Sequence, residues 1–213
     1  MVNKNNLNQI NEDIDQQIIV AATKYVEVEG IQELVELGVN HIGENRVDAF
    51  LDKYQVLHDL DIIWHFIGHL QSKKVKKMIN SIDYLHSLDR LSLANEIQKH
   101  RKLPLKCFIE VNISDESSKY GLNMSEVYSF CENMKRYDKI LIVGLMGMAE
   151  LTDDESIIRH QFTRLSDLKN ELNKNLNMNL ECLSMGMSND YKIAIEVGAT
   201  HLRLGSILFR NEE

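Results

Sequence analysis

Proline is almost absent from this chain: Pro104 stands alone among 213 residues. The ten glycines stand singly at the ends of apolar or helix-like runs, so no proline- or glycine-rich linker divides the sequence. Cysteine is scarce as well. Cys107, Cys131 and Cys182 are odd in number and lack CxxC spacing, which excludes a disulfide framework. Cys107 and Cys182 fall in strand-like runs, where a small buried hydrophobe is the expected role. Long apolar runs are missing too. The longest, Ile140–Ala149, is far below the roughly 20 residues of a bilayer span, so no membrane association is expected. Met1–Gln17 is polar and Asn-rich instead of basic and then apolar, so no secretory signal is read there and the expected location is cytoplasmic. Finally, positive charge is in deficit. A formal net charge of -8 argues against a nucleic-acid backbone as partner.

What is present is an ordinary globular composition, 44% hydrophobic and 26% charged, with room for one domain spanning residues 1–213. Eight short apolar runs march along it: Ile18–Lys24, His41–Asn45, Ile62–His69, Asp83–Leu88, Lys106–Ile113, Leu141–Ala149, Glu181–Met187 and His201–Ser206. The first seven are each followed by a helix-like stretch. Strands alternating with helices imply parallel βαβ units, and eight units close a (β/α)8 barrel of the TIM type, an α/β fold. Chemistry in such a barrel sits at the C-terminal ends of the strands, where Lys24, Asn45, His69, Asn112, Ser188 and Ser206 fall. The near-continuous apolar runs suit a parallel sheet buried on both faces.

The intervening segments carry apolar residues at spacings of three and four, as in Ile31, Leu34, Val35 and in Val127, Phe130, Cys131, Met134. Asn123 with Glu126 three residues on has the shape of a capping box, and Gly38 is placed to end a helix in a left-handed cap. Lys73, Lys74, Lys76 and Lys77 read as a solvated helix face, the anion-binding alternative being the weaker one. Glu150, Asp153, Asp154 and Glu155 open a long helix running to about Asn175, where carboxylates suit the positive end of the macrodipole. The polar segment 1–17 either forms a short helix over the barrel or frays.

Lys24 ends an otherwise uncharged run, so its amine projects at the barrel mouth. Desolvation there would make it nucleophilic toward an aldehyde; the neutral alternative is a lysine reaching out to solvent. At the other end of the chain, Ser184-Met185-Gly186-Met187-Ser188 follows the seventh run, and Arg203-Leu204-Gly205-Ser206 ends the eighth. Barrels often bind phosphate between these two loops, through backbone N–H groups and hydroxyls. Taken with Lys24, the pair suggests a phosphorylated aldehyde as ligand.

Ala22-Thr23-Lys24, Ile42-Gly43-Glu44-Asn45, Trp64-His65-Phe66-Ile67-Gly68-His69-Leu70-Gln71-Ser72-Lys73, Ser87-Leu88-Asp89-Arg90, Val111-Asn112-Ile113-Ser114, Gly144-Leu145-Met146, Leu183 to Ser188 and Arg203 to Ser206 follow one another in order. Together they resemble the successive signatures of the pyridoxal phosphate homeostasis proteins over nearly the whole chain. The resemblance implies a barrel like the N-terminal domain of alanine racemase, with pyridoxal 5′-phosphate (PLP) joined to Lys24 as a Schiff base. It further implies that Ser188, Gly205 and Ser206 hold the phosphate, Arg203 faces the pyridine nitrogen and Asn45 lies near the ring. Three departures stand out: His69 replaces a proline, Thr23 replaces a smaller residue, and the N-terminal helix is abbreviated. His69 is read as facing solvent, His65 as a packed, hydrogen-bonded core imidazole and Trp64 as core.

An arginine beside the ring nitrogen can only donate, so it leaves that nitrogen unprotonated and weakens the electron sink of PLP. Racemases add a second base from another domain, which this chain has no length to build; nothing in the sequence aims Tyr25, Tyr120 or Tyr191 at the ring. The expectation is therefore a monomeric PLP carrier serving apo PLP-dependent enzymes, without catalytic turnover. A weak PLP-dependent amino-acid racemase and, from the barrel alone, a sugar-phosphate binder are the rivals.

Overall fold

A computed structural model describes residues 1–114 and 120–209. Eight parallel strands form the barrel: β1 (Ile18–Ala22), β2 (His41–Glu44), β3 (Ile63–Phe66), β4 (Tyr84–Leu88), β5 (Leu105–Asn112), β7 (Ile140–Gly147), β8 (Cys182–Ser184) and β9 (His201–Leu204). Each pairs with the next, β9 returns to β1, and β4 joins β5, so no edge is left open. A two-residue strand, β6 (Leu122–Asn123), adds to the outside of β5 and has no counterpart among the eight apolar runs. All eight runs contain a strand, but most strands stop before the run does. Lys24, Asn45 and Ser188 consequently lie in the turns beyond strand ends, and Ser206 opens the short helix after the last strand.

Helices α2 (Val28–Glu36), α3 (Val47–Leu57), α5 (Leu91–His100), α6 (Met124–Met134) and α7 (Glu155–Leu176) cover the barrel, and short α4 (Val75–Met78), α8 (Tyr191–Glu196) and α9 (Ser206–Phe209) complete the ring. The expected apolar stripes face inward, Ile31 and Leu34 on α2 and Val127, Phe130, Cys131 and Met134 on α6, all buried. The capping pattern is present as read: the Glu126 carboxylate accepts from the Asn123 N–H at 2.9 Å. Gly38 adopts φ +87° after α2, with Val39 N–H donating back to Leu34 C=O at 2.9 Å. That closure needs a residue free of the Cβ penalty. The lysine run is largely exposed, with Lys74 paired to Asp48 at 2.8 Å, and Asp154 caps α7 by accepting from Ser156 N–H at 2.9 Å.

Segment 1–17 is helical rather than frayed. Helix α1 (Lys4–Asp13) buries Leu7 and Ile10 and packs on α9; Asn3 N–H donates to Leu208 C=O at 2.7 Å and Asn6 Nδ2 to Ile207 C=O at 2.9 Å. The helix thus covers the side of the barrel next to the last strand.

Strand alternation sends apolar side chains outward into the helices and a different set into the lumen. On β3, Trp64 packs edge-on against Phe50 of α3 at 5.3 Å, whereas His65 points inward and stacks on Tyr84 at 4.5 Å. Barrel interiors are normally filled by Val, Ile and Leu. Here the ring side chains of His65, Tyr84, His86, Phe108 and His201 meet in the lumen, with centroids 4.3–6.5 Å apart.

Candidate cofactor site at the C-terminal mouth

Strands β1, β8 and β9 end side by side, and their turns frame a cavity of about 300 Å³ lined in part by Ala22, Ser188, Asp190, Arg203, Gly205 and Ser206. Gly186 makes the turn after β8 possible. Its φ is +92°, and a Cβ there would lie 2.7 Å from that of Ala194, so only glycine lets this chain pass beneath α8. Ser188 then sits where two backbone N–H groups converge: Gly205 and Ile207 both donate to its Oγ at 3.3 Å. A Cβ on Gly205 would meet nothing nearer than Ala22 at 3.6 Å, an ordinary contact. The space beside Gly205 therefore belongs to the cavity and is not filled by protein.

Arg203 is buried in the wall. Its Nη1 donates to Ser184 Oγ at 2.6 Å and its Nη2 to Gly147 C=O at 3.1 Å. Burial pushes the guanidinium down to about 10, with Asp190 and Glu110 holding it up, so it stays charged at neutral pH. Asp190, 7% exposed, accepts from Met187 N–H at 2.5 Å, and burial raises its carboxyl above the usual range. Glu110, inside the barrel on β5, is raised to about 7 by burial first and then by Asp89.

Four of the six residues expected at the site, Ser188, Arg203, Gly205 and Ser206, thus line one cavity. Lys24 and Asn45 do not line it. Lys24 is exposed in the turn after β1, two residues past Ala22, with its Nζ over the Tyr25 ring at 4.6 Å. The side chain reaches out to solvent, the neutral alternative for it in the sequence, because β1 ends at Ala22 and the next turn carries it over the rim. Asn45 follows β2, and its Oδ1 is buried without a partner among the described residues.

The peptide before Lys24 is held from behind. Thr23, the departure noted next to the lysine, donates its hydroxyl to Glu44 at 2.9 Å. Lys53 of α3 donates to both Glu44 and the Thr23 carbonyl, at 2.6 Å for the carbonyl, and Glu44 is fully buried. Sequence reading missed this clamp, although Glu44 lies inside a quoted motif. His69 is half-buried, stacked on Tyr120 at 4.3 Å and 3.7 Å from Asp89, which corrects the solvent-facing reading. His65 and Trp64 are core, as expected. Tyr191 donates to Asp13 of α1 at 2.6 Å, and Tyr25 and Tyr120 are exposed.

Residues 3–212 match the family description "Alanine racemase, N-terminal domain". This defines the class: a barrel of the alanine racemase type. Among curated relatives, a pyridoxal phosphate homeostasis protein of Aquifex aeolicus is 40% identical over 90% of this chain and 85% of its own length. One from Schizosaccharomyces pombe is 37% identical over 90% and 83%. The structure of PipY from Synechococcus elongatus, described with PLP bound, superimposes with a TM-score of 0.88 at 27% identity, covering 97% of this chain and 99% of that one. Alanine racemase of Clostridium difficile shares the fold alone, with a TM-score of 0.83 at 12% identity; this chain spans 56% of it. The chain belongs to the pyridoxal phosphate homeostasis protein family.

Proposed function

We propose that this protein binds PLP at the mouth formed by β1, β8 and β9 and serves intracellular PLP homeostasis, holding the cofactor as a Schiff base on Lys24. The observation that carries this reading is the convergence of Ser188, Gly205, Ser206 and Arg203 on one cavity beside the strand that leads to Lys24. The residues suit the group. The open space at Gly205 admits a phosphate to the backbone, the Ser188 and Ser206 hydroxyls add donors, and the orphaned Asn45 Oδ1 offers an acceptor near the rim.

PLP supplies an aldehyde that condenses reversibly with an amine, releasing water. The chain's residues bind and orient it. Arg203 places a cation in the wall that is lowered only to about 10 and so stays charged at neutral pH, and it cannot take a proton from a ring nitrogen. Of Tyr25, Tyr120 and Tyr191, the last alone is not exposed, and it is committed to Asp13. These features support a carrier over a racemase; that it acts as a cytoplasmic monomer supplying apo PLP-dependent enzymes is part of the same proposal.

The test is an absorbance spectrum of protein mixed with PLP, before and after borohydride, followed by peptide mapping. Visible absorbance, its loss on reduction and a label on Lys24 are expected; Lys24→Ala should lose all three. Labelling of another lysine in the parent would overturn the assignment. Rapid racemisation of alanine by the loaded protein would replace the carrier by the racemase reading.

A further inference from the structure

Arg203 is not held by a lone serine. From Ser184 a file of side chains runs through the lumen to the opposite face of the barrel. Ser184 Oγ lies 2.8 Å from His86 Nδ1, His86 Nε2 lies 2.8 Å from His65 Nδ1, and His65 Nε2 lies 2.8 Å from His41 Nδ1. Ser184, His86 and His65 are fully buried, while His41 at the start of β2 is half-buried.

The direction of the remaining bonds follows once the Ser184 hydroxyl gives its proton to His86. A guanidinium only donates, so Ser184 Oγ accepts from Arg203. Among the described residues the hydroxyl has one other side-chain partner, and its proton finds an acceptor when it goes to His86 Nδ1. A neutral imidazole that accepts at Nδ1 carries its proton at Nε2. His86 therefore donates to His65, and His65, by the same rule, to His41. All three rings are fixed as Nε2–H tautomers, with the His41 Nε2–H left at the far face. Burial disfavours charge on His65 and His86, which keeps both neutral.

We propose that Ser184 is a positioning residue for Arg203, oriented by a one-way hydrogen-bond chain through His86 and His65, so that a proton gained by His41 at one barrel face is felt at the cofactor mouth on the other. The inference rests on the reading of Arg203 as a wall of the PLP site.

A proton can enter His41 only at Nδ1, which removes the acceptor for His65 Nε2–H. The bonds re-form if His65 and His86 each carry their single proton at Nδ1 instead, with His41 now protonated at both nitrogens. His41 then donates to His65, His65 to His86, and His86 to Ser184 Oγ, whose own proton turns away toward the mouth. The count balances: His41 gains one proton, and His65, His86 and Ser184 each keep one. Around His41 stand His65 on β3, Asp83 just before β4, Lys106 on β5 and, beyond His65, Tyr84 on β4 and His201 on β9. Burial and Lys106 oppose its charging and Asp83 favours it. The switch therefore falls on the acid side of the usual histidine range, about 6.5.

Ring-nitrogen NMR of the protein without PLP tests the chain directly. At about pH 8, His86 and His65 should both report Nε2–H, and both should cross to Nδ1–H together as His41 charges. Rings that hold Nδ1–H at the start, or that keep their tautomer through the His41 titration, overturn the proposal. With PLP, Ser184→Ala should raise the Kd about tenfold, and Ser184→Thr, which keeps the hydroxyl, should restore it. His41→Asn, which keeps an acceptor but cannot titrate, should flatten the pH profile of PLP affinity below about 6.5. A profile unchanged in His41→Asn refutes the coupling even if Ser184→Ala fails to fold. Loss of PLP binding in the parent would sink the functional reading, while the NMR result would still decide the chain.

Discussion

At the scale of single residues, burial sets the chemistry of this mouth more than hydrogen bonding does. Glu110 is the clearest case. Its carboxyl ordinarily titrates at 4.5 and is raised to about 7 by burial, with Asp89 adding to the shift and Arg203 and Arg90 opposing it. The folded state thus binds this proton more tightly than the unfolded chain does. The associated stability is fully present below 4.5 and is lost as pH climbs through about 7. Glu110→Gln, permanently neutral, should escape that loss. Its stability relative to the parent should rise across this window by on the order of 3 kcal/mol at most, measured by urea denaturation at stepped pH. Parallel stability curves for the two proteins would mean that Glu110 ionises normally. At the cavity rim, Ser188→Ala should weaken PLP binding by about 1–2 kcal/mol, the worth of one hydrogen bond to a charged group. Gly205→Val should cost more affinity yet leave thermal stability nearly unchanged, because its Cβ meets Ala22 only at 3.6 Å and otherwise enters the cavity. A Gly205→Val protein that binds PLP like the parent would place the phosphate elsewhere.

At the scale of elements, the clamp behind β1 and β2 joins packing to function, because Lys53 of α3 grips the carbonyl that precedes Lys24. Lys53→Met strands the buried Glu44 carboxylate and should cost up to about 3 kcal/mol of stability, the lower range for breaking such a pair. Adding Glu44→Gln to that variant should recover part of the loss, because the uncompensated charge disappears. A double variant no more stable than the single one would show that the carboxylate was not the cause. This clamp also marks where the sequence stops being readable. Period and turn residues revealed all eight strands and the stripes of α2 and α6, since each depends on neighbours within about four residues. The partner of Glu44 could not be read, because a lysine nine residues on along a helix carries no pattern of its own. The ends of strands were overrun for a related reason: Thr23 and Lys24 continue the run in sequence, but the ladder from Gly43 ends there and the chain turns out. The displacement is two residues, enough to carry Lys24 out onto the rim of the mouth.

At the scale of the whole molecule, the rhythm of strand and helix predicted closure of the barrel, while the polar lumen left almost no trace. His41, His86 and His201 lie in runs that read as apolar, and their inward direction emerges only once the register of β2, β4 and β9 is fixed. The same distance in sequence hides the role of α1. It meets the opposite end of the chain, where Asn3 and Asn6 donate to the carbonyls of Leu208 and Ile207, and Ile207 N–H in turn donates to Ser188. The segment is thus tied, through one turn of α9, to the proposed phosphate site, and Tyr191 bonded to Asp13 provides a second tie across α8. Helix α1 should therefore control cofactor affinity from outside the mouth. Leu7→Ala and Ile10→Ala each remove a fully packed side chain and should destabilise the protein by about 2–4 kcal/mol. Asn6→Ala, which spares the core but frees the Ile207 carbonyl, should lower PLP affinity about threefold to tenfold, the effect of a loosened hydrogen bond. Titration of PLP against parent and Asn6→Ala at one temperature, well below either melting transition, separates the two effects. Equal affinities would reduce α1 to a cover for the barrel wall, with no hold on the site it borders.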